Sequence, residues 1–405
     1  MSTPKVSVII PAYNGGDYLG EAIQSVLTQT YPHFELIVVD DASPKDASSL
    51  IGQFDDPRLK YIVHQQNQGA VAARKTGVDA SSGAIIAFLD QDDLFHPEKL
   101  QAHVKFLEEH PAVGVTYNSR MECEGESRTI RSIWHPPDRA TLADLVLGFP
   151  FAPSDTVLRR ELALRDEIWD QSYVSSSNET IFNGAEIILG GRLALEGHQF
   201  ASVGRALNYR RYHPRRVFSK VAARCSAELT CQQMILDDPR CPDEVRQLRN
   251  RAFMNTNLYW SYYAFAQEET ALGHSLLREA VRLHPALVEG CPCELVKFFV
   301  HDSASDGSVE VKEHLKKLFA QLPPELAALS AQLDWAVGCA YLLRGAQAIM
   351  WNRTEEGQRC FAQAIQADAE FDEFFTQNLT RQLLNYQKEF GGNATQKVVE
   401  RLVSY

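Results

Sequence analysis

The strongest constraint on the fold is an apolar run that ends in three carboxylates. Residues 84–89 read AIIAFL and are followed by DQDD at positions 90–93. A short run of strand-forming apolar residues is typical of a strand that is buried on both faces. Carboxylates are costly to bury unless they are paired or bound to a metal ion. The stretch therefore predicts a central strand with Asp90, Asp92 and Asp93 at its exposed tip.

Two carboxylates of this tip, Asp90 and Asp92, are two residues apart. In an extended backbone such side chains point to the same side. A pair of carboxylates on one side suits a hard divalent cation, Mg²⁺ or Mn²⁺, which would in turn hold a diphosphate. An acidic loop that caps the helix beginning near Pro97 explains the same residues when they are considered alone. The neighbouring sequence decides between these two interpretations.

The first 95 residues alternate between strand-like and helix-like patterns. Strands are predicted at 6–10, 34–39 and 59–63, and helices at 17–30, at 45–54 and through Val71 and Arg74. This alternation is typical of an α/β fold with a mainly parallel sheet and right-handed crossovers. The second strand also ends in carboxylates, Asp40 and Asp41. Because the carboxyl ends of parallel strands meet at one edge, two acidic tips predict a ligand site there.

The glycine-rich phosphate loops of common nucleotide folds are missing from this sequence. Residues 15–20 read GGDYLG, which lacks the Gly-Lys-Ser/Thr ending of a P-loop, and no Gly-x-Gly-x-x-Gly follows the first strand. Phosphate would then be held by a metal ion and by arginine. The same absence disfavours a nicotinamide enzyme.

Four motifs occur in order along this half of the chain. They are PAYN at 11–14, VDDAS at 39–43, NQGA at 67–70 with AR at 73–74, and FLDQDD at 88–93. Together they resemble the family 2 glycosyltransferases of the GT-A fold, over roughly residues 4–220. The resemblance implies an inverting transfer of a sugar from a nucleotide-diphosphate donor to an acceptor hydroxyl, with Mn²⁺ or Mg²⁺ as cofactor. It also implies a GT-A domain at residues 1–220.

The resemblance assigns most motif residues to the donor nucleotide. Tyr13 and Asp41 match positions that hold the base, Arg74 a position near base and ribose, and Asp92 the metal ligand. Tyr13 can stack on a base, and Asp41 can accept a hydrogen bond from an imide N–H, which favours uracil or thymine. The full donor set is Pro11, Ala12, Tyr13, Asn14, Asp40, Asp41, Asn67, Gly69, Arg74, Asp90 and Gln91.

An inverting transfer needs one general base to deprotonate the acceptor hydroxyl. The resembling family usually supplies an Asp from a Glu-Asp pair, six residues before an Arg on the same helix. Here Arg192 sets the register, and the pair has become Ala185-Glu186. Glu186 is therefore the candidate base. A surface glutamate, or an altered and inactive site, is the alternative.

A basic cluster at residues 205–216 stands out in a chain of net charge −12 and pI near 5.5. An acidic chain is a poor nucleic-acid binder, so no nucleic-acid partner is expected and the cluster is assigned to the diphosphate. By resemblance, His213 is a third metal ligand beside Asp90 and Asp92, although a loop histidine bonded to the backbone is equally compatible. The residues assigned to the diphosphate are Arg211, Arg215 and Arg216.

From about residue 221 helical periodicity replaces the strand patterns, which predicts an all-α domain at 221–405. The segments around Gly273 and Gly357 resemble degenerate tetratricopeptide-like helical hairpins, and an ordinary helical bundle is an equal alternative. This half is expected to position an acceptor, a protein partner or a second copy of the chain. A catalytically silent sugar-nucleotide-binding scaffold that recruits partners through this half is the competing hypothesis for the whole chain.

The expected location is the cytoplasm, either free or peripheral at the inner membrane face. No signal peptide is recognised, and no apolar run approaches the ~20 residues that span a bilayer. The eight scattered cysteines are expected to be reduced thiols. The expected partners are a nucleotide-sugar donor and a glycan, lipid-linked or protein acceptor.

Overall fold

The computed structural model describes residues 5–45, 47–124, 130–148, 151–169, 185–212, 221–305, 309–350 and 353–367. The chain divides into two compact units. Unit 1 comprises residues 1–128 and 133–256, and unit 2 comprises residues 129–132 and 257–405. The predicted domain boundary at residue 220 remains a prediction.

The elements of the described residues follow the chain in this order. The strands are β1 (Val6–Ala12), β2 (Phe34–Asp40), β3 (Leu59–Val63), β4 (Ile85–Phe88), β5 (Leu94–Phe95), β6 (Val113–Glu124), β7 (Ile130–Trp134), β8 (Thr156–Arg159) and β9 (Gln199–Tyr212). The helices up to unit 2 are α1 (Gly16–Leu27), α2 (Ser48–Ile51), α3 (Ala70–Asp79), α4 (Lys99–Glu109), α5 (Leu142–Leu147), α6 (Arg160–Ala163), α7 (Ala185–Leu195), α8 (Val221–Asp237) and α9 (Asp243–Arg246). The remaining helices are α10 (Arg249–Ala266), α11 (Thr270–Leu283), α12 (Glu294–Ser305), α13 (Val311–Ala320), α14 (Leu333–Met350) and α15 (Thr354–Gln366).

The sheet of unit 1 runs β3-β2-β1-β4-β8-β6-β9-β5. Strand β1 pairs in parallel with β2 and with β4, and β2 pairs in parallel with β3. Strand β8 is antiparallel to both of its neighbours, β4 and β6. The predicted α/β class with a mainly parallel first half is confirmed. The carboxyl ends of β1 to β4 therefore share one edge of the sheet.

Helix α3 lies close against β1 because it carries a glycine at the point of contact. A Cβ atom built on Gly77 would lie 2.4 Å from Cγ2 of Ile9, which is too close for any other residue without movement. Gly77 and Ile9 thus fix the depth of the helix over the sheet. This depth places Arg74, one turn earlier on α3, at the carboxyl edge of the strands.

Three local predictions were wrong. Residues 91 and 92 form a turn between β4 and β5, so the alternation argument for Asp90 and Asp92 does not apply. The polar sequence of residues 123–139 predicts an irregular excursion, but this segment contains the end of β6 and all of β7. The sequence patterns at 200–203 and 207–210 each predict a short strand, but both belong to one strand, β9, which stays continuous across irregularities in its pairing with β6.

Every described element from Val221 onward is helical, as predicted. In unit 2 the first hairpin-like segment has a close contact at its glycine. A Cβ atom on Gly273 of α11 would lie 2.4 Å from Cε1 of Phe265 on α10. The corresponding positions of the second segment, Gly357 and Ala364, are also buried, and Ala369 lies outside the described residues. These contacts fit either a repeat-like hairpin or a bundle.

One helical stretch of the described residues, Pro324–Ala348, is long and apolar enough to pass a length-and-composition test for a membrane span. This stretch was not anticipated from the sequence. However, 61% of its most apolar window is buried inside the fold, as in the core helix of a globular unit. The predicted location stays a prediction.

Gly273→Ala is expected to lower the free energy of unfolding of unit 2 by about 1–3 kcal/mol, because the added methyl group overlaps the Phe265 ring. Denaturant unfolding, monitored by circular dichroism, measures this change. The matched control is Ser275→Ala, an exposed position on the same helix, which is expected to change stability by less than about 0.5 kcal/mol. Equal stability of the two variants would contradict the close packing.

Candidate functional site

The candidate site lies where β1, β2 and β4 end. In the register of the sheet, Ala12 of β1 lies opposite Asp40 of β2, and Ile9 of β1 lies opposite Phe88 of β4. The tip of β1 therefore has one acidic tip on each side, Asp40-Asp41 and Asp90–Asp93. The predicted convergence of two acidic strand ends on one edge is present in the structure.

Hydrogen bonds join the three tips into one structure. The Gln91 side chain accepts from the Tyr13 N–H at 2.8 Å and donates to the Tyr13 carbonyl at 2.9 Å. On the other side, the Asn14 N–H donates to Oγ of Ser43 at 2.9 Å. Asn14 has a φ of 51° and Ala42 a φ of 58°, so both loops turn sharply through the left-handed region. Side-chain hydrogen bonds therefore connect the tip of β1 to the tips of β2 and β4.

Asp41 is buried, and its carboxylate accepts three hydrogen bonds. Oδ1 accepts from the Gln68 N–H at 2.9 Å, and Oδ2 accepts from the Gly69 N–H at 2.6 Å. Nδ1 of His64 lies 2.7 Å from Oδ1, and Nε2 of His64 lies 2.9 Å from the Thr76 hydroxyl. An ionised carboxylate only accepts, so Nδ1 of His64 donates to Asp41. The geometry fixes the orientation of the Asp41 carboxylate.

Asp40 is also buried, and its carboxylate closes the turn after β2. Oδ2 accepts from the Tyr61 hydroxyl at 2.7 Å, and Oδ1 accepts from the Ser43 N–H at 2.9 Å. Through these hydrogen bonds Asp40 holds the loop after β2 in position. Direct contact of Asp40 with a donor remains a prediction.

The carboxylate of Asp90 is held by an arginine from helix α3. Nη2 of Arg74 donates to Oδ1 of Asp90 at 2.7 Å, and Arg74 is almost fully buried. The backbone N–H of Asp90 donates to Oγ of Ser154 at 3.0 Å. Asp90 itself stays partly exposed, with 28% of its side chain accessible. Asp90 is thus fixed from two sides and still faces solvent.

Asp90 and the partly exposed Asp92 provide carboxylate oxygens at the same turn. Mg²⁺ is commonly bound by one or two carboxylates, with phosphate and water as the other ligands, so these residues fit such an ion when a diphosphate is present. Within the described residues no group of three His, Cys, Asp or Glu side chains could hold a metal by itself. The predicted third ligand, His213, lies outside the described residues.

Asp93 and Arg211 point inward, which the sequence did not indicate. Oδ1 of the buried Asp93 accepts from the Arg211 N–H at 3.2 Å. The Arg211 guanidinium is 1% exposed, donates to Glu21 at 2.5 Å and lies over the Tyr18 ring at 4.8 Å. Its predicted contact with a diphosphate remains a prediction, and Arg215 and Arg216 lie outside the described residues.

The other predicted residues occupy different positions around this edge. Tyr13 is exposed, with 45% of its surface accessible, so its ring is available to a ligand. Pro11 and Ala12 are buried at the end of β1, Asn67 is exposed, and Gly69, the N-cap residue of α3, has a φ of 90°. Gly69 takes this left-handed conformation so that its N–H points at Asp41.

Glu186 lies in the first turn of α7, and its side chain is outside the described residues. Farther along this helix, Leu189 and Leu193 line an apolar pocket together with Phe88 and Trp169. The pocket has an empty volume of about 530 Å³, including its opening to solvent, and Arg74 lies at its wall.

Sequence analysis missed His64 and Ser154. His64 directly follows β3, so the rule that identified the other strand ends could have identified it. Ser154 lies 64 residues after Asp90, and no local pattern connects the two.

Residues 7–166 match the family model described as Glycosyl transferase family 2. The match covers β1 to β8 and therefore every strand tip of the site. Residues 7–166 are similar to a family 2 glycosyl transferase domain. The predicted family resemblance is confirmed for this part of the chain. The predicted helical region is confirmed for the described residues from Val221 onward.

Several curated proteins are similar to this domain. An uncharacterized glycosyltransferase of Rickettsia bellii is 44% identical over 131 residues, which is 32% of this chain and 19% of that protein. The putative teichuronic acid biosynthesis glycosyltransferase TuaG of Bacillus subtilis is 35% identical over 144 residues, 35% of this chain and 56% of that protein. The Escherichia coli protein WfgD, named as a UDP-Glc:alpha-D-GlcNAc-diphosphoundecaprenol beta-1,3-glucosyltransferase, is 38% identical over 102 residues, 25% of this chain and 40% of that protein. The chain thus spans about a fifth to about half of the length of these relatives.

Proposed function

We propose that this protein is a metal-dependent, inverting glycosyltransferase that moves a sugar from a UDP- or dTDP-sugar to an acceptor hydroxyl. The observation that carries the proposal is the joining of three strand tips, at which Asp41 and Asp90 flank the exposed Tyr13. The acceptor is a glycan or glycoconjugate. The names of TuaG and WfgD support this acceptor class and, for WfgD, a uridine donor.

The preference for uracil or thymine follows from hydrogen-bond chemistry at Asp41. A carboxylate accepts and cannot donate, so it can pair with the imide N–H of these bases. Oδ1 of Asp41 already has two partners, His64 and the Gln68 N–H, whereas Oδ2 accepts one hydrogen bond from the described residues. Each oxygen has two lone pairs, so Oδ2 can take the imide N–H. Tyr13 stacks on the base.

Asp92 and Asp90 would hold the divalent ion, with His213 as the further predicted ligand. The ion supplies charge neutralisation for the diphosphate when it is bound. Arg74 keeps one Asp90 oxygen oriented through its 2.7 Å bond. Arg215 and Arg216 are proposed to add positive charge on the leaving diphosphate.

Glu186 is proposed to deprotonate the acceptor hydroxyl. A single base on the face opposite the leaving diphosphate gives inversion at the anomeric carbon. The longer side chain of Glu, compared with the Asp of the resembling family, places the carboxylate one methylene farther from its helix.

In a thermal-shift panel of UDP-, dTDP- and GDP-sugars, the uridine or thymidine series with Mn²⁺ is expected to raise the melting temperature most. A ligand that binds only the folded state stabilises it by mass action, by about 2.7 kcal/mol at 100 times its Kd. The same sugars without Mn²⁺ serve as the control and should give a smaller shift.

A larger shift with GDP-sugars would contradict the assignment of Asp41 to an imide base. Shifts of equal size with and without Mn²⁺ would contradict the metal-dependent half of the proposal and leave the base assignment in place.

A further inference from the structure

A lysine is buried beneath the acidic turn of the site. Lys99, at the start of α4, is 0% exposed. Taking an ammonium group out of water costs several kcal/mol unless hydrogen bonds and charges compensate. Its contacts therefore indicate what this position does for the fold.

The Lys99 ammonium joins two parts of the sheet. Nζ donates to Oδ1 of Asn118 on β6 and to the Ser154 carbonyl, the latter at 2.9 Å. Oδ1 of Asn118 also lies 3.0 Å from Nε2 of the buried His103, and Nδ2 of Asn118 donates to Oδ1 of Asn208 on β9 at 2.5 Å. The ammonium thus fixes the turn before β8 to the neighbouring strands.

The turn that Lys99 holds is the one that holds Asp90. Oγ of Ser154 accepts the backbone N–H of Asp90 at 3.0 Å, while Arg74 binds the Asp90 carboxylate. The chain of contacts runs from Nζ of Lys99 through Ser154 to the backbone of Asp90. Lys99 and Ser154 are both fully buried.

The charges around Lys99 act in opposite directions. Burial lowers the pKa of Lys99 to about 7, although the carboxylates of Asp155 and Asp93 act to raise it. Burial and the positive charge of Lys99 also lower the pKa of His103, so His103 is neutral. Both carboxylates are themselves buried. Lys99 thus lies beside two buried acids, of which Asp155 also forms an ion pair with Arg120 at 2.9 Å.

We propose that Lys99 is a positioning residue: through Ser154 it holds the Asp90–Asp93 turn in the geometry that binds the metal–diphosphate part of the donor. The part of this inference that concerns donor binding rests on the proposed function. The part that concerns the position of the Asp90–Asp93 turn applies to the free protein and can be tested without ligand.

The test is hydrogen–deuterium exchange of the peptide covering residues 88–95 in the free, full-length protein. Lys99→Met and Ser154→Ala are each expected to speed exchange in this peptide by about 10-fold, because the anchor of the Asp90 N–H is lost. Lys99→Gln keeps an amide NH₂ donor group and should restore part of the slow exchange. The matched control is Lys105→Met, the same substitution at an exposed position of α4.

The second measurement is the apparent Kd of UDP with Mn²⁺. Lys99→Met and Ser154→Ala are each expected to weaken binding by about 10-fold, and the double variant by much less than 100-fold, because both act on one chain of contacts. If Lys99 and Ser154 only stabilised the fold, the variants would lower the unfolding midpoint, and the effects of the two single variants on the Kd would add in the double variant.

Unchanged exchange at 88–95 in folded Lys99→Met and Ser154→Ala would overturn the inference, as would equally fast exchange in Lys105→Met. Faster exchange in a protein whose wild type does not bind UDP with Mn²⁺ would refute the proposed function and its donor role for Lys99. In that case the anchoring of the turn by Lys99 would still stand.

Discussion

Asp92→Ala is expected to reduce Mn²⁺-dependent release of nucleoside diphosphate from the correct donor by at least roughly 10³-fold. The reason is that Asp92 is the predicted metal ligand, and a bound cation stabilises several kcal/mol of developing charge on the leaving diphosphate. Slow hydrolysis of the donor in the absence of acceptor measures the effect. Melting temperature without ligand should change little, because Asp92 lies in a partly exposed turn.

Asp55→Ala is the matched control, since Asp55 is an exposed aspartate of the same unit. It should retain full turnover. Turnover of Asp92→Ala that still rises with Mn²⁺ to the wild-type rate would place the metal elsewhere. Since Asp90 shares the turn, Asp90→Asn should then be compared before the site is abandoned.

Glu186→Gln is expected to lower kcat by about 10²–10⁴-fold while the Kd for the donor stays within twofold of wild type. Glutamine has nearly the same shape but cannot accept the proton of the acceptor hydroxyl, and this is the usual size of a general-base contribution. A loss in kcat with donor binding retained assigns the residue to the chemical step. The pH profile of kcat should also lose its acidic limb in this variant.

Glu161→Gln, at an exposed glutamate of α6, provides the matched control and should leave kcat unchanged. If Glu186→Gln keeps wild-type turnover, the base is another group, and the Ala185-Glu186 pair is not the counterpart of the Glu-Asp pair. If it loses donor binding instead, Glu186 acts in the donor site.

The edge of the sheet could be predicted because short apolar runs end at acidic residues. Strands β1, β2 and β4 are parallel and buried, so each run was visible in the sequence, and Asp41 and Asp90 had to emerge at the same edge of the sheet. The geometry within the tip could not be predicted in the same way. Asp90 and Asp92 are two residues apart, which places two side chains on the same side only in an extended backbone. Residues 91 and 92 form a turn, so the spacing does not predict where these carboxylates point.

The support beneath the site depends on contacts between distant parts of the chain. Asn118 joins Lys99, 19 residues away, to Asn208, 90 residues away, and neither spacing has a local signature. The position of Arg211 also could not be predicted from local sequence. A basic cluster in sequence indicated phosphate binding, whereas burial against Glu21 becomes visible only when α1 and β9 pack in unit 1.

The most direct test is a crystal structure of the protein with UDP and Mn²⁺, with the metal located by its anomalous scattering. The account predicts one strong anomalous peak in contact with the Asp92 carboxylate and the diphosphate, with uracil against the Tyr13 ring and its imide N–H directed at Asp41. A nucleotide bound away from the tips of β1, β2 and β4, or a metal without contact to Asp90 or Asp92, would contradict it.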